Sequence, residues 1–117
     1  MNLQFDIEIL DSVVVYKLEG KITSDIDYDE LEKKVFSMLN KNYYRIIFNL
    51  KGLTHTNSSG ISFFMRTLTK SRIMGGDLVL TNISGNVEKI FNISKLDEIY
   101  TIYDSSENAI NHFKKIQ

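Results

Sequence analysis

The chain opens on an alternation. In "LQFDIEIL", Leu3, Phe5, Ile7 and Ile9 place an apolar side chain at every second position, the mark of a strand with one face buried. Asp11 and Ser12 predict a turn, and the β-branched run of "VVVYKLEG" predicts a second strand. The two form a hairpin that ends at Gly20. The period then changes. Within "SDIDYDELEKKVFSMLNK", Leu31, Val35, Met38 and Leu39 recur at helical spacing. Asp25, Asp27, Asp29 and Glu30 crowd the start of this helix and Lys33 and Lys34 follow, a polarity that suits the helix dipole. Asn40 and Asn42 mark its end.

"RIIFNL" is nearly continuous in apolar residues, as expected of a central strand covered on both faces. "KGLTHTN" reads as a loop. A second helix follows, its apolar face carrying Ile61, Phe64, Met65 and Leu68, and it stops before "MGG", a tight turn that drops the chain into the next strand. Phe63 lies roughly 100° away from that face. It is either packed beneath a neighbouring element or exposed as part of a docking surface. "DLVLTNI" is a further buried strand, "SGNVEKIFNIS" a short helix through Val87, Ile90 and Phe91, and "EIYTIY" a last strand. "SSENAINHFKKI" closes the chain as a helix packed by Ala109, Ile110 and Phe113. The order β-β-α-β-α-β-α-β-α predicts one α/β domain over residues 1–117, with a mixed, mainly parallel sheet and the hairpin as its antiparallel edge.

Composition narrows the chemistry. With 117 residues, 43% of them hydrophobic, the chain can bury a core without covalent staples. Fourteen basic and 15 acidic residues are mixed along it, for a net charge of −1, so the basic stripe expected of a nucleic-acid binder is missing. There are no cysteines, which excludes disulfides, thiolate metal sites and thiol catalysis. His55 and His112 are the only histidines and lack metal-ligand spacing, so no metal or cofactor is expected. His55 reads as a polar loop residue and His112 as a helix-surface residue. No window is long and apolar enough to span a bilayer, and the acidic N-terminal segment does not read as a signal peptide. A cytoplasmic monomer with no membrane or nucleic-acid partner is the expectation.

The chemistry concentrates at "HTNSSGISFF", where the central strand gives way to the second helix. Asn57 or Ser58 can cap that helix, because a side-chain oxygen there accepts a backbone N–H that the first turn cannot satisfy. Gly60 allows close packing. A hydroxyl exposed at a helix start can also carry a phosphate, whose −1.5 to −2 charges the local N–H groups and dipole tolerate. A partner presenting a carboxylate about 5 Å away would then be repelled by roughly 3 kcal/mol per added charge. Enzymatic use of the serines is not expected: a Gly-x-Ser-x-Gly elbow is absent and no base is identified beside them. Arg66, Lys70 and Arg72 form a solvated charge cluster on the second helix or meet an acidic partner.

At these residues the sequence resembles the STAS-domain anti-sigma factor antagonists. "NSSG" at Asn57–Gly60 matches the family's Asp-Ser-Ser/Thr-Gly loop, and "LEGKI", "IIFNLKGL", "MGGDLVLTNIS" and "VEKIFNISKLDEIYTIYDSSENAI" agree in order. The resemblance implies a non-enzymatic partner switch. The unmodified protein would bind an anti-sigma factor with serine kinase activity. That kinase would phosphorylate Ser58 from ATP and end the complex, and a PP2C-type phosphatase would reverse the step. Ser58 is then the phosphoacceptor, with Asn57, Ser59 and Gly60 forming the partner-binding loop. The family's acidic positions are held by Asn57 and Thr23, which keeps a second reading open: a constitutive scaffold or transport-complex subunit, with the serine as a cap only.

Overall fold

The computed structural model describes residues 2–115, and of Lys115 the backbone only. The expectations for Met1, Ile116 and Gln117 lie outside the described residues. The elements are β1 (Leu3–Leu10), β2 (Val13–Lys21), α1 (Asp25–Asn40), β3 (Arg45–His55), α2 (Ser58–Ile73), β4 (Asp77–Thr81), α3 (Gly85–Ile93), a 3-10 turn (Leu96–Glu98), β5 (Thr101–Tyr103) and α4 (Ser106–Lys115). The five strands lie side by side in chain order, β1 antiparallel to β2 and every later pair parallel. The α/β class, the hairpin edge and the mainly parallel sheet are as the pattern predicts.

The two faces of the sheet are covered unequally. Alternate residues of β2, β3 and β4, among them Tyr16, Phe48 and Leu80, pack with α1, α2 and α3 in the main core. The opposite set, Val13, Val15, Ile47 and Val79, is covered by Ala109 and Phe113 of α4. Helix α1 buries the predicted stripe and extends it one turn toward its start through Tyr28 and Asp27.

Helix α2 is rotated from its predicted orientation. Its buried positions are Gly60, Phe63, Phe64, Thr67, Leu68 and Ser71, while Ile61 and Met65 are only half-buried. Thr67 and Ser71 turn their hydroxyls back onto the carbonyls of Phe63 and Leu68, at 3.0 and 2.9 Å, and so enter the core with their polarity satisfied. Phe63 is fully buried, stacked on Tyr28 at 5.0 Å between ring centres. Its alternative as a docking residue falls.

Strand β3 outruns "RIIFNL" by five residues, so "KGLTH" is strand, not loop. Two irregularities explain why the pattern hid it. Lys17 pairs with Asn49 but Glu19 with Gly52, and Gly20 pairs with Leu53 but Lys21 with His55. At each, β3 carries one extra residue, a bulge that breaks the period of two and re-aims the strand. The serine loop is thereby delivered beside Ile22–Ser24, where β2 leaves the sheet. Of "EIYTIY", only Thr101–Tyr103 is strand, because the chain first makes the 3-10 turn, entered through Lys95 at φ 59°. At "MGG", Gly75 takes φ 93°, the left-handed turn that only glycine adopts without strain, and the strand β4 follows.

Candidate functional site

The site lies where β3 ends and α2 begins. Asn57 is extended, at φ −112°, and its side-chain oxygen accepts the Gly60 N–H at 2.9 Å, capping α2 as the sequence predicts. Gly60 is buried, and a Cβ added there would overlap Thr56 Oγ1 and press on Ile22. Its missing side chain therefore serves contact within the domain. This is the close packing that the sequence predicts at Gly60.

Ser58 and Ser59 have opposite surroundings. Ser58 is the first residue of α2 and is exposed, with no side-chain hydrogen bond among the described residues. Ser59 is half-buried. Its hydroxyl donates to the Asp25 carboxylate and sits 2.7 Å from the phenol of Tyr28. A hydroxyl has one proton, so the phenol is the donor in that second bond. Tyr28 is held by its stack on Phe63 and by a contact to Arg66, which itself grips Glu32 at 2.7 and 3.1 Å. Glu32 first, and Tyr28 after it, raise the Arg66 pKa. A polar seam thus joins the first half of α1 to the first half of α2.

The turn that starts α1 is fixed by Asp27. Its carboxylate accepts the Thr23 N–H at 2.8 Å, the Thr23 hydroxyl at 3.0 Å and the Ser24 N–H at 3.2 Å. These bonds, the Thr23 N–H foremost, hold its carboxyl below the usual aspartate range. Thr23 thus supports the carboxylate of Asp27, and the carboxylate that reaches the serine loop is that of Asp25. Sequence reasoning placed Asp25 among helix-start acids and passed over Tyr28. Extending the α1 stripe back from Leu31 would have found Tyr28. Its contact with Ser59, 31 residues away, leaves no trace in local pattern.

Other candidates resolve as structure. His55 ends β3, exposed, its ring nitrogens 3.0 Å from Thr54 Oγ1 and 3.3 Å from Asn86 Nδ2. His112 is half-buried, which corrects the expectation of a helix-surface residue: it lies 3.0 Å from the Tyr103 phenol and 3.6 Å from the Asp77 carboxylate. Arg66 and Arg72 pair with Glu32 and Asp77, and Lys70 lies over the Phe36 ring at 5.2 Å. Among the described residues no group of three or more His, Asp or Glu side chains could hold a metal ion, and no helix is long and apolar enough to cross a membrane.

Known proteins share this architecture. The STAS domain family matches residues 4–109. The anti-sigma F factor antagonist of Paenibacillus polymyxa is 24% identical over 119 residues, covering 99% of each chain. A crystal structure from Thermotoga maritima, named as a candidate anti-sigma factor antagonist, is 27% identical with a TM-score of 0.82 and 92% of each chain covered. The antagonist SpoIIAA in its unphosphorylated form superposes with a TM-score of 0.84 at 23% identity, over 97% of this chain and 99% of that one. Family match and fold agree along the chain: the protein belongs to the STAS domain family.

Proposed function

We propose that the protein is a cytoplasmic regulatory switch that binds an anti-sigma factor with serine kinase activity, and that phosphorylation of Ser58 ends the complex. One observation carries this reading. Ser58 stands exposed at the start of a 16-residue helix, and the fold makes no use of its hydroxyl. Asn57 caps the helix instead. A phosphate at Ser58 would be favoured by the free N–H groups and dipole of α2, while a partner's acidic surface would be driven off.

In the forward step Ser58 Oγ attacks the γ-phosphorus of the kinase's ATP. The Oγ–P bond forms, the bridging bond to ADP breaks, and the hydroxyl proton passes to a base of the kinase. A PP2C-type phosphatase returns the serine by adding water and releasing inorganic phosphate. Incubation with ATP and the cognate kinase adds one phosphate to the native chain and none to Ser58→Ala. Equal modification of Ser58→Ala removes the assignment.

Asn57 favours a second reading. It is neutral where the family pattern is acidic, and capping alone accounts for it. In that reading the loop binds a scaffold or transporter partner constitutively. A pull-down that recovers such a partner, unaffected by Ser58→Glu, selects it.

A further inference from the structure

We infer that Asp25 and Tyr28 are positioning residues that withdraw Ser59 and leave Ser58 as the one hydroxyl of the loop offered to a phosphoryl donor. The inference rests on the phosphoacceptor role proposed above and adds what chooses between two adjacent serines. The choice needs a physical cause, since the residues are chemically identical and consecutive.

The cause is the clasp between α1 and α2. Ser59 spends its only proton on Asp25, and the Tyr28 phenol occupies one of its two oxygen lone pairs and covers that side of the hydroxyl. To react, Ser59 must first break one charge-assisted bond and one neutral bond. Together these lower its availability at least about tenfold. Tyr28 cannot swing aside cheaply, because its ring is buried and stacked 5° from parallel on Phe63. Asp25 is exposed, but the turn it belongs to is fixed by the three bonds to Asp27. Ser58 meets none of these restraints.

The absence of cysteine makes a direct test possible, independent of any kinase. Single Ser58→Cys and Ser59→Cys variants are alkylated with iodoacetamide. The Ser58→Cys variant should react at least about tenfold faster, and adding Asp25→Asn with Tyr28→Phe should bring the two rates within about threefold. Tyr28→Phe keeps the ring on Phe63, so the scaffold survives. Asp25→Glu, which retains a carboxylate, should restore part of the gap. Equal rates in the two single-cysteine variants overturn the inference.

The second arm maps phosphate by mass spectrometry after treatment with the cognate kinase and ATP. The native serine loop should carry it on Ser58 alone, and Asp25→Asn/Tyr28→Phe should divide it between Ser58 and Ser59. Phosphate on Ser59 of the native chain overturns both the clasp's role and the Ser58 assignment. A double variant still modified only on Ser58 overturns the inference and spares the assignment. No phosphate on either serine, with the alkylation gap intact, removes the phosphoacceptor role and leaves the clasp standing.

Discussion

Two polar clusters sit at opposite ends of the parallel strands, and they differ in what they leave over. At the start of β4, Asp77 gathers the Arg72 guanidinium at 3.0 Å, its neighbour's N–H at 2.9 Å and His112 at 3.6 Å, while His112 turns its other nitrogen to Tyr103. The end of α2, the start of β4 and α4 are joined there, and each of these side chains has a partner within the domain. At the serine loop, Asn57, Ser59, Tyr28, Asp25 and Asp27 are engaged just as fully. Ser58 is left out. A polar group that the fold holds but does not use can change its charge at little cost to the fold. That distinguishes the loop from the Asp77 cluster, where any change of charge is a change of structure.

The contrast can be broken or sharpened by substitution. Phe63 lies beneath the loop and carries Tyr28, so Phe63→Ala should lower stability by about 3–5 kcal/mol in chemical denaturation and loosen the clasp with it. Asn57→Ala removes the α2 cap and should cost about 1 kcal/mol by the same measurement. Asp77→Asn weakens a half-buried pairing in which only the Arg72 end is well exposed, and should cost about 1 kcal/mol, leaving partner affinity unchanged. An effect of Asp77→Asn on binding would erase the difference between the two ends.

Asp27 adds a pH signature. Its carboxyl titrates lower in the folded chain than the ordinary 3.8, so the unfolded chain takes up the proton first as pH falls. Its stabilising contribution is complete above that value and is lost as pH drops through 3.8 toward the folded one. Stability curves of the native chain and Asp27→Asn should therefore differ at neutral pH and converge in acid. Parallel curves down to acid would show that the Thr23 and Ser24 bonds do not bias its ionisation.

Much of this was legible in the chain. Alternation in β1 as far as Ile7, the stripe from Leu31 to Leu39 and the capping chemistry of Asn57 are local signals, and the structure follows them, while Ile9 near the end of β1 is exposed. What stayed hidden has two physical causes: dependence on a distant partner, and polarity that a helix satisfies within itself. The last five residues of β3 are strand only because Gly52, Leu53 and His55 pair, across two bulges, with Glu19–Lys21. Thr67 and Ser71 disguise the buried face of α2 because their hydroxyls are satisfied by its own carbonyls. The clasp on Ser59 joins residues that no window of sequence places together, so "NSSG" cannot say which serine is free. Its bonding partners can.

The decisive measurement pairs affinity with stability in unmodified protein and protein phosphorylated on Ser58. The cognate kinase is titrated into each, and the Tm of each is recorded. The account predicts an affinity loss of about a hundredfold or more, the equivalent of roughly 3 kcal/mol, with Tm moving by no more than about 2 °C. Equal affinities, or a fall in Tm large enough to explain the lost binding by unfolding, would contradict it.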